Sequence, residues 1–213
     1  MSGALQAVFQ NQRNFIPPLP NIGDAYQGGY FAGQISTAGN SIPDYNLVVG
    51  PVASAENSSK QFKIVNTATT GTTSVINGPA NSAAMDDISH PAAQFCEGLT
   101  IGGFSDWYMP AKNELEICFY NLKPVVASNN LASGVNANAV PARASPYTAG
   151  TPAQTSATNF QSTGAEPFTV GYYWSSTESA STKAFAQYFD IGIQLAYNKT
   201  YAFRVRAVRR VAV

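Results

Sequence analysis

The residues able to do chemistry are few and scattered. His90, the single histidine of the chain, follows Asp86 and Asp87, and a histidine beside a carboxylate can act as a general base, but no Ser or Cys can be set near it from sequence. Asp86 and Asp87 could also serve a hard cation, which draws six to eight oxygens from several positions. Neighbouring side chains point apart, so solvated carboxylates are the better reading. Cys96 and Cys118 lack the companion His or Cys residues of a zinc site, and they read as core thiols, with a disulfide between them as the alternative. No GxGxxG opens a helix and no GxxxxGK[ST] occurs, so nucleotide chemistry has no warrant. No catalytic residue, metal ligand or cofactor is expected.

Composition narrows the function classes further. The 213 residues carry 12 Lys plus Arg against 12 Asp plus Glu, so no overall positive field draws the chain to nucleic acid or acidic lipid. With 45% apolar and 11% charged residues, it can bury a core and is not disordered throughout. No basic segment followed by an apolar run begins it, and no stretch of about 18 apolar residues occurs. These features predict a soluble protein made in the cytosol.

The elements that must position any site follow from periodicity. Residues 1–21 read as an arm: Leu5, Val8 and Phe9 share one face of a short helix, Arg13 and Phe15 follow, and a Pro-rich linker comes after. Such a short helix needs cover from its own domain or a neighbouring subunit. From residue 22 the pattern becomes strand-like, with Gly28-Gly29 offering a hairpin turn, a run at Leu47-Val48-Val49 and alternation over Gln61–Val65. Residues 67–82 read as an exposed loop or edge ribbon rather than core. Two helices are then predicted. The first has Ser89 as cap, Ala92, Phe95, Cys96 and Leu99 as its stripe, and Gly98 as a left-handed stop; the second starts at Pro110, with Leu115, Cys118, Phe119 and Leu122 buried. Both cysteines therefore lie on buried faces, where a thiol is a poor nucleophile.

Residues 125–171 form a long Ala, Ser, Asn, Thr, Pro and Gly-rich insertion whose bulky handles are Arg143, Tyr147, Phe160 and Phe168. A loop of this length is a candidate display surface, with disorder as the alternative. Tyr147, Asn159, Phe160 and Phe168 are its candidate contact residues. The chain then returns to strands, where Arg204, Arg206 and Arg210 are expected on one side of the last, pairing with Asp86, Asp87, Asp106, Glu114 or Glu116, or holding an anionic ligand.

Three blocks resemble a known family. Gly102-Gly103-Phe104-Ser105-Asp106-Trp107-Tyr108-Met109-Pro110 through Glu114-Leu115, then Tyr173-Trp174-Ser175-Ser176-Thr177-Glu178, and finally Phe203-Arg204-Val205-Arg206-Ala207-Val208-Arg209 are similar to blocks of the Lcl C-terminal domain family. That resemblance covers residues 22–213 and implies an α+β, C-type-lectin-like fold, with two helices flanking a small curled antiparallel sheet with long loops. It also implies scaffold roles: Trp107 and Trp174 in the core, Asp106 and Glu114 as partners of terminal arginines such as Arg204 and Arg206, and Ser175 to Thr177 in a turn. The calcium-lectin pattern is missing, since only Glu166-Pro167-Phe168 approaches it.

The opening residues resemble the start of lectin-like regions in phage tail-fibre and virion structural proteins. The expectation is a non-enzymatic virion subunit of the tail fibre, tail tip or head decoration, located in the virion and in host cytoplasm during assembly. Its arm would contact other virion proteins, its domain a host-surface glycan or protein, and it would be a homo-oligomer, possible as a trimer. The alternatives are an enzyme resembling the lectin-fold sulfatase-modifying oxidases, which needs a reactive cysteine pair, and a bacterial surface adhesin.

Overall fold

The computed structural model describes residues 18–213; the arm residues Leu5, Val8, Phe9, Arg13 and Phe15 lie outside them. The architecture is mostly β, with two curled sheets and a few small helices. Strands β1 (Ala25–Tyr26), β2 (Gly29–Ile35) and β3 (Tyr45–Val49) lead into a one-turn helix, α1 (Val52–Ala55), and strand β4 (Glu56–Gln61). Helices α2 (Gly78–Ala83), α3 (Pro91–Glu97) and α4 (Lys112–Leu122) follow. After the insertion come β5 (Tyr172–Ala180), β6 (Lys183–Tyr188), β7 (Gln194–Asn198), β8 (Ala202–Arg206) and β9 (Val208–Ala212). One sheet has the order β1-β2-β3-β9 and the other β4-β8-β5-β6-β7. All pairs are antiparallel except β5 with β8.

Two sheets form where one was expected because the closing segment breaks at Ala207. Its N–H donates to Ala55 O at 2.9 Å and its carbonyl accepts from Gly50 N at 3.0 Å, so β8 stays in one sheet and β9 crosses into the other. The break resets the side-chain alternation, and the arginines do not form a basic face. The β1–β2 turn has Gln27 at φ 47° and Gly28 at φ 84°, two successive positive values that suit a tight hairpin.

Strand β4 ends where the Gln61–Val65 alternation was expected to begin. Its sequence, Glu-Asn-Ser-Ser-Lys-Gln, is polar because it is an edge strand with half-exposed side chains. Helix α2 falls inside the segment read as exposed loop, where Thr72, Asn81 and Ser82 are fully buried. Helix α3 has Pro91 in its first turn and His90 at its N-cap without a side-chain cap, and Gly98 ends it at φ −76°, which is not left-handed. Helix α4 begins at Lys112, and Glu114 turns back to accept the Ala111 N–H at 2.7 Å.

Two clusters make the core. One joins Leu47, Val49, Leu115, Phe119, Leu122 and Phe189 with three aromatic residues of the insertion; the other joins Trp107, Trp174, Phe62, Met85 and Cys96. Both indole N–H groups are bonded, Trp107 to Phe104 O and Trp174 to Lys60 O, each at 3.0 Å.

Candidate functional site

The insertion folds through inward anchors. Tyr147, Phe160 and Phe168 are 5%, 0% and 1% exposed, so these three expected contact residues are core residues instead, and only Asn159 faces solvent. The physical reason is area: a polar segment without periodic structure buries its few large rings to offset the cost of ordering. Phe168 stacks on Phe189 at 4.2 Å, Phe160 meets Tyr30 edge-on at 5.4 Å, and Tyr147 lies 5.7 Å from Phe119. Gly134 has φ 112°, and an added Cβ would lie 2.3 Å from the Tyr147 ring, so only glycine fits there.

The charged residues of the insertion, Arg143 and Glu166, are anchors as well. Arg143 pairs with buried Glu116 on α4, which also accepts from Tyr147 Oη at 2.6 Å and Asn136 Nδ2 at 2.5 Å. Glu166 accepts from Arg206 Nη2 at 2.9 Å and Val52 N at 2.7 Å. Lys123, 1% exposed, donates to Ala127 O and to Asn129 Oδ1 at 2.6 Å, while Asn129 Nδ2 reaches Pro152 O at 2.8 Å. Each buried charge is thus paired or hydrogen-bonded, as desolvation requires.

The terminal arginines have four separate duties. Arg204 donates to Glu56 at 3.0 Å, and Arg206 binds Glu166 with its guanidinium 4.7 Å above Phe168. Arg209 makes a bidentate pair with Asp106, at 2.7 and 2.9 Å, and stacks over Phe104. Arg210 donates to Glu114 at 2.8 Å. The expected Asp106 and Glu114 partnerships therefore belong to Arg209 and Arg210. Arg204 and Arg206 use Glu56 and Glu166, two lone carboxylates that were not among the expected arginine partners. Burial raises the Glu114 pKa, with the Arg210 charge and the Tyr108 hydroxyl acting against it. Ser175, Ser176 and Thr177 lie within β5 rather than in a turn; Thr177 accepts the Lys112 N–H at 3.0 Å and thereby secures the start of α4.

One relay has the form of nucleophile chemistry. Asp87 Oδ1 lies 2.9 Å from His90 Nδ1, and His90 Nε2 lies 3.1 Å from Thr69 Oγ1. Thr69 is also held by Lys199 Nζ at 3.4 Å, and Lys199 pairs with Glu178 at 2.6 Å. Thr69 and His90 are 6% and 4% exposed, so a substrate carbonyl cannot approach the hydroxyl. The relay ties the 63–72 loop to β5 and α3. The cysteines are equally enclosed: Cys96 and Cys118 are free and fully buried, and burial pushes both thiols up, the opposite of what a reactive cysteine needs. Among the described residues, no group of three or more His, Cys, Asp or Glu side chains could hold a metal ion, and no helix is long and apolar enough to cross a membrane.

What remains accessible is an aromatic face. On the side of the five-stranded sheet that also carries buried Trp174, at the margin of the second core cluster, Tyr172 lies 4.8 Å from both Tyr188 and Tyr197 and 5.1 Å from Phe203, and Tyr201 lies 6.2 Å from Tyr197. Strand alternation places Leu195 on the same side. Tyr201 and Leu195 are 48% and 42% exposed, and the other four rings are half-buried. Burial, aided by the Tyr172 hydroxyl, holds the Tyr197 hydroxyl up at about 12, so that phenol stays a neutral hydrogen-bonding group. Rings joined in this way make a stiff amphipathic surface that can stack on a partner and hydrogen-bond to it. The sequence reading passed over this face because it takes alternate residues from four strands.

These features define a mostly β domain with a buried polar frame and a half-buried aromatic face edged by exposed Tyr201 and Leu195. The model of the Lcl C-terminal domain family matches residues 65–209, and the chain belongs to that family. The match is narrower than residues 22–213; β3, which precedes it, pairs with β9, and β2 pairs with β3 to continue the first sheet. Among solved structures, a fimbrial protein from Bacteroides ovatus ATCC 8483 overlays with 16% identity and a TM-score of 0.42, covering 76% of this chain and 35% of that one. The chain thus spans about a third of that protein, and so loose an overlay carries no argument about fold or function. None of the curated proteins matches the chain.

Proposed function

We propose that the chain is a non-enzymatic virion structural protein, a tail-fibre, tail-tip or head-decoration subunit. Its first residues attach it to other virion proteins, and a C-type-lectin-like domain faces the host surface. The observation that carries this reading is the aromatic face of Tyr172, Tyr188, Tyr197, Tyr201 and Phe203, mounted on a sheet with buried ion pairs beneath it. Such rings contribute contact area at low conformational cost, the quality expected of a recognition surface.

Full-length protein added to host cells should block adsorption of the particle. Tyr201→Ala combined with Leu195→Ser, both exposed, should relieve the block without moving the urea midpoint. Undiminished blocking by the double variant would remove the face from this reading. Absence of the chain from purified particles would remove the virion assignment.

A further inference from the structure

Strand β7 ends the five-stranded sheet, and among the described residues no strand pairs with its outer side. We propose that this edge is an interface with a second copy of the chain, the two β7 strands pairing antiparallel about a twofold axis at Ala196. The proposal stands apart from the virion assignment, and it is read in solution rather than on host cells.

Backbone parity is the first argument. Tyr188 N donates to Ile193 O at 3.0 Å and Lys199 N donates to Thr182 O at 3.1 Å. These two bonds fix the ladder. Leu195 and Tyr197, opposite Ala186 and Ala184, exchange their backbone bonds with β6, while Gln194, Ala196 and Asn198 turn theirs outward. Of the outward groups, Gln194 N is held by Ser133 Oγ at 3.3 Å and Asn198 O by Tyr201 N at 3.0 Å. Gln194 O, Ala196 N–H, Ala196 O and Asn198 N–H are left without a protein partner among the described residues.

That row is its own complement. With the two Ala196 residues opposite each other, each Ala196 N–H meets the other copy's carbonyl there, and each Asn198 N–H meets the carbonyl of Gln194 across the junction. The groups already bonded, Gln194 N and Asn198 O, face each other in the same register. Every free group of the strand is therefore used. The register also sets exposed Leu195 beside Tyr197 of the other copy as a non-hydrogen-bonded pair, the kind in which side chains lie closer. The aromatic face then continues from one copy into the next.

The absence of guards on this edge is the second argument. Folded proteins blunt an open sheet edge with charge, a bulge or brevity. Strand β1 has two residues, and β4 carries Glu56, Lys60 and a register shift between Asn57 and Lys60. Strand β9 carries Arg209 and Arg210, and Tyr108 bridges it at Val208. Strand β7, Gln-Leu-Ala-Tyr-Asn, has no charge and pairs with β6 in unbroken register. The next residue, Lys199, is fully buried and paired with Glu178. A contact of this symmetry joins two chains, not three.

The test follows the full chain by sedimentation equilibrium and amide hydrogen exchange between about 10 µM and about 1 mM, the range of a weak specific contact. The mass should rise from 22.6 kDa toward twice that value. Exchange at Ala196 and Asn198 should slow by at least about twofold, the change when half the chains are paired. Because Ala196 faces its own counterpart, Ala196→Lys sets like charges against each other. Ala196→Lys and Ala196→Glu should each stay at the mass of one chain, and their equal mixture should pair again. The proposal is overturned by a mass that stays at one chain or settles at three, or by a rise in mass without slowed exchange at Ala196 and Asn198. Pairing of either variant alone as strong as that of the unsubstituted protein, or a mixture of folded variants that fails to pair, would also overturn it. Exchange in the unsubstituted protein decides the matter should a variant fail to fold.

Discussion

Arg204 and Arg206 stand two residues apart on one face of β8, yet their replacement by Met should have very different costs. Arg206 is 1% exposed. It donates to Gly50 O at 2.9 Å, Glu166 O at 3.1 Å, Pro167 O at 3.2 Å and Glu166 Oε2 at 2.9 Å, with Glu56 at 3.8 Å. Arg206→Met removes every one of these and leaves Glu166 with only the Val52 N–H. Breaking a buried pair from one side costs about 3–5 kcal/mol, since the remaining charge stays desolvated. Arg204, whose side chain is 28% exposed, makes one contact with Glu56, and Glu56 keeps the Tyr173 hydroxyl. Its loss should cost about 1 kcal/mol or less.

Urea unfolding followed by the fluorescence of buried Trp107 and Trp174 reads both values in one protein. Adding Glu166→Gln to Arg206→Met should recover part of the loss, because the orphaned charge is then gone. The reasoning fails if Arg206→Met lies within about 1 kcal/mol of the parent, the range of an ordinary surface substitution, or if the second substitution adds its full cost.

Further outcomes concern other parts of the molecule. Phe168→Ala should destabilise by about 3–5 kcal/mol, as removal of a buried ring does, and a change small enough for a surface residue would return Phe168 to a displayed role. Burial and the neighbouring Asp86 hold the half-buried Glu97 at about 7 against 4.5 for a free side chain. An acid whose pKa rises on folding contributes stability below about 4.5 that is lost as pH increases through about 7; Glu97→Gln should therefore flatten the stability profile in that window, and an unchanged profile would refute the assignment. Cys96 and Cys118 should resist thiol reagents until the protein is unfolded, and fast labelling of the native state would revive the oxidase alternative. Deleting residues 1 to 20 should prevent incorporation into particles while the urea midpoint of the domain is kept.

Regular periodicity accounts for most of what could be read from the chain. Helices α3 and α4 show apolar stripes, and Leu47 to Val49 and the last strands show runs or alternation, so their existence follows from pattern alone. Strand β4 has neither, since a polar edge strand is held by backbone bonds to β8. The direction of Tyr147, Phe160 and Phe168 was equally hidden, because an isolated ring in an irregular segment has no period to say which way it faces. One signal was available: the only charged residues between 125 and 171 are Arg143 and Glu166, and two unlike charges spared in such a stretch suggest partners in the interior. The split at Ala207, one small residue between two strand patterns, was beyond any local rule.

The pinning of residues 125–171 separates two tasks that loops usually combine. The rings and charges of Tyr147, Phe160, Phe168, Arg143 and Glu166, with buried Asn129, Asn136 and Thr155, are spent on attachment to the body, so the exposed stretches between these studs carry little of the folding free energy. Relatives could rewrite those stretches, lengthen them or recolour them with new polar groups, and the parent framework would tolerate the change. In the recognition role proposed above, that division would let novelty arise at the rim while the foundations stay intact.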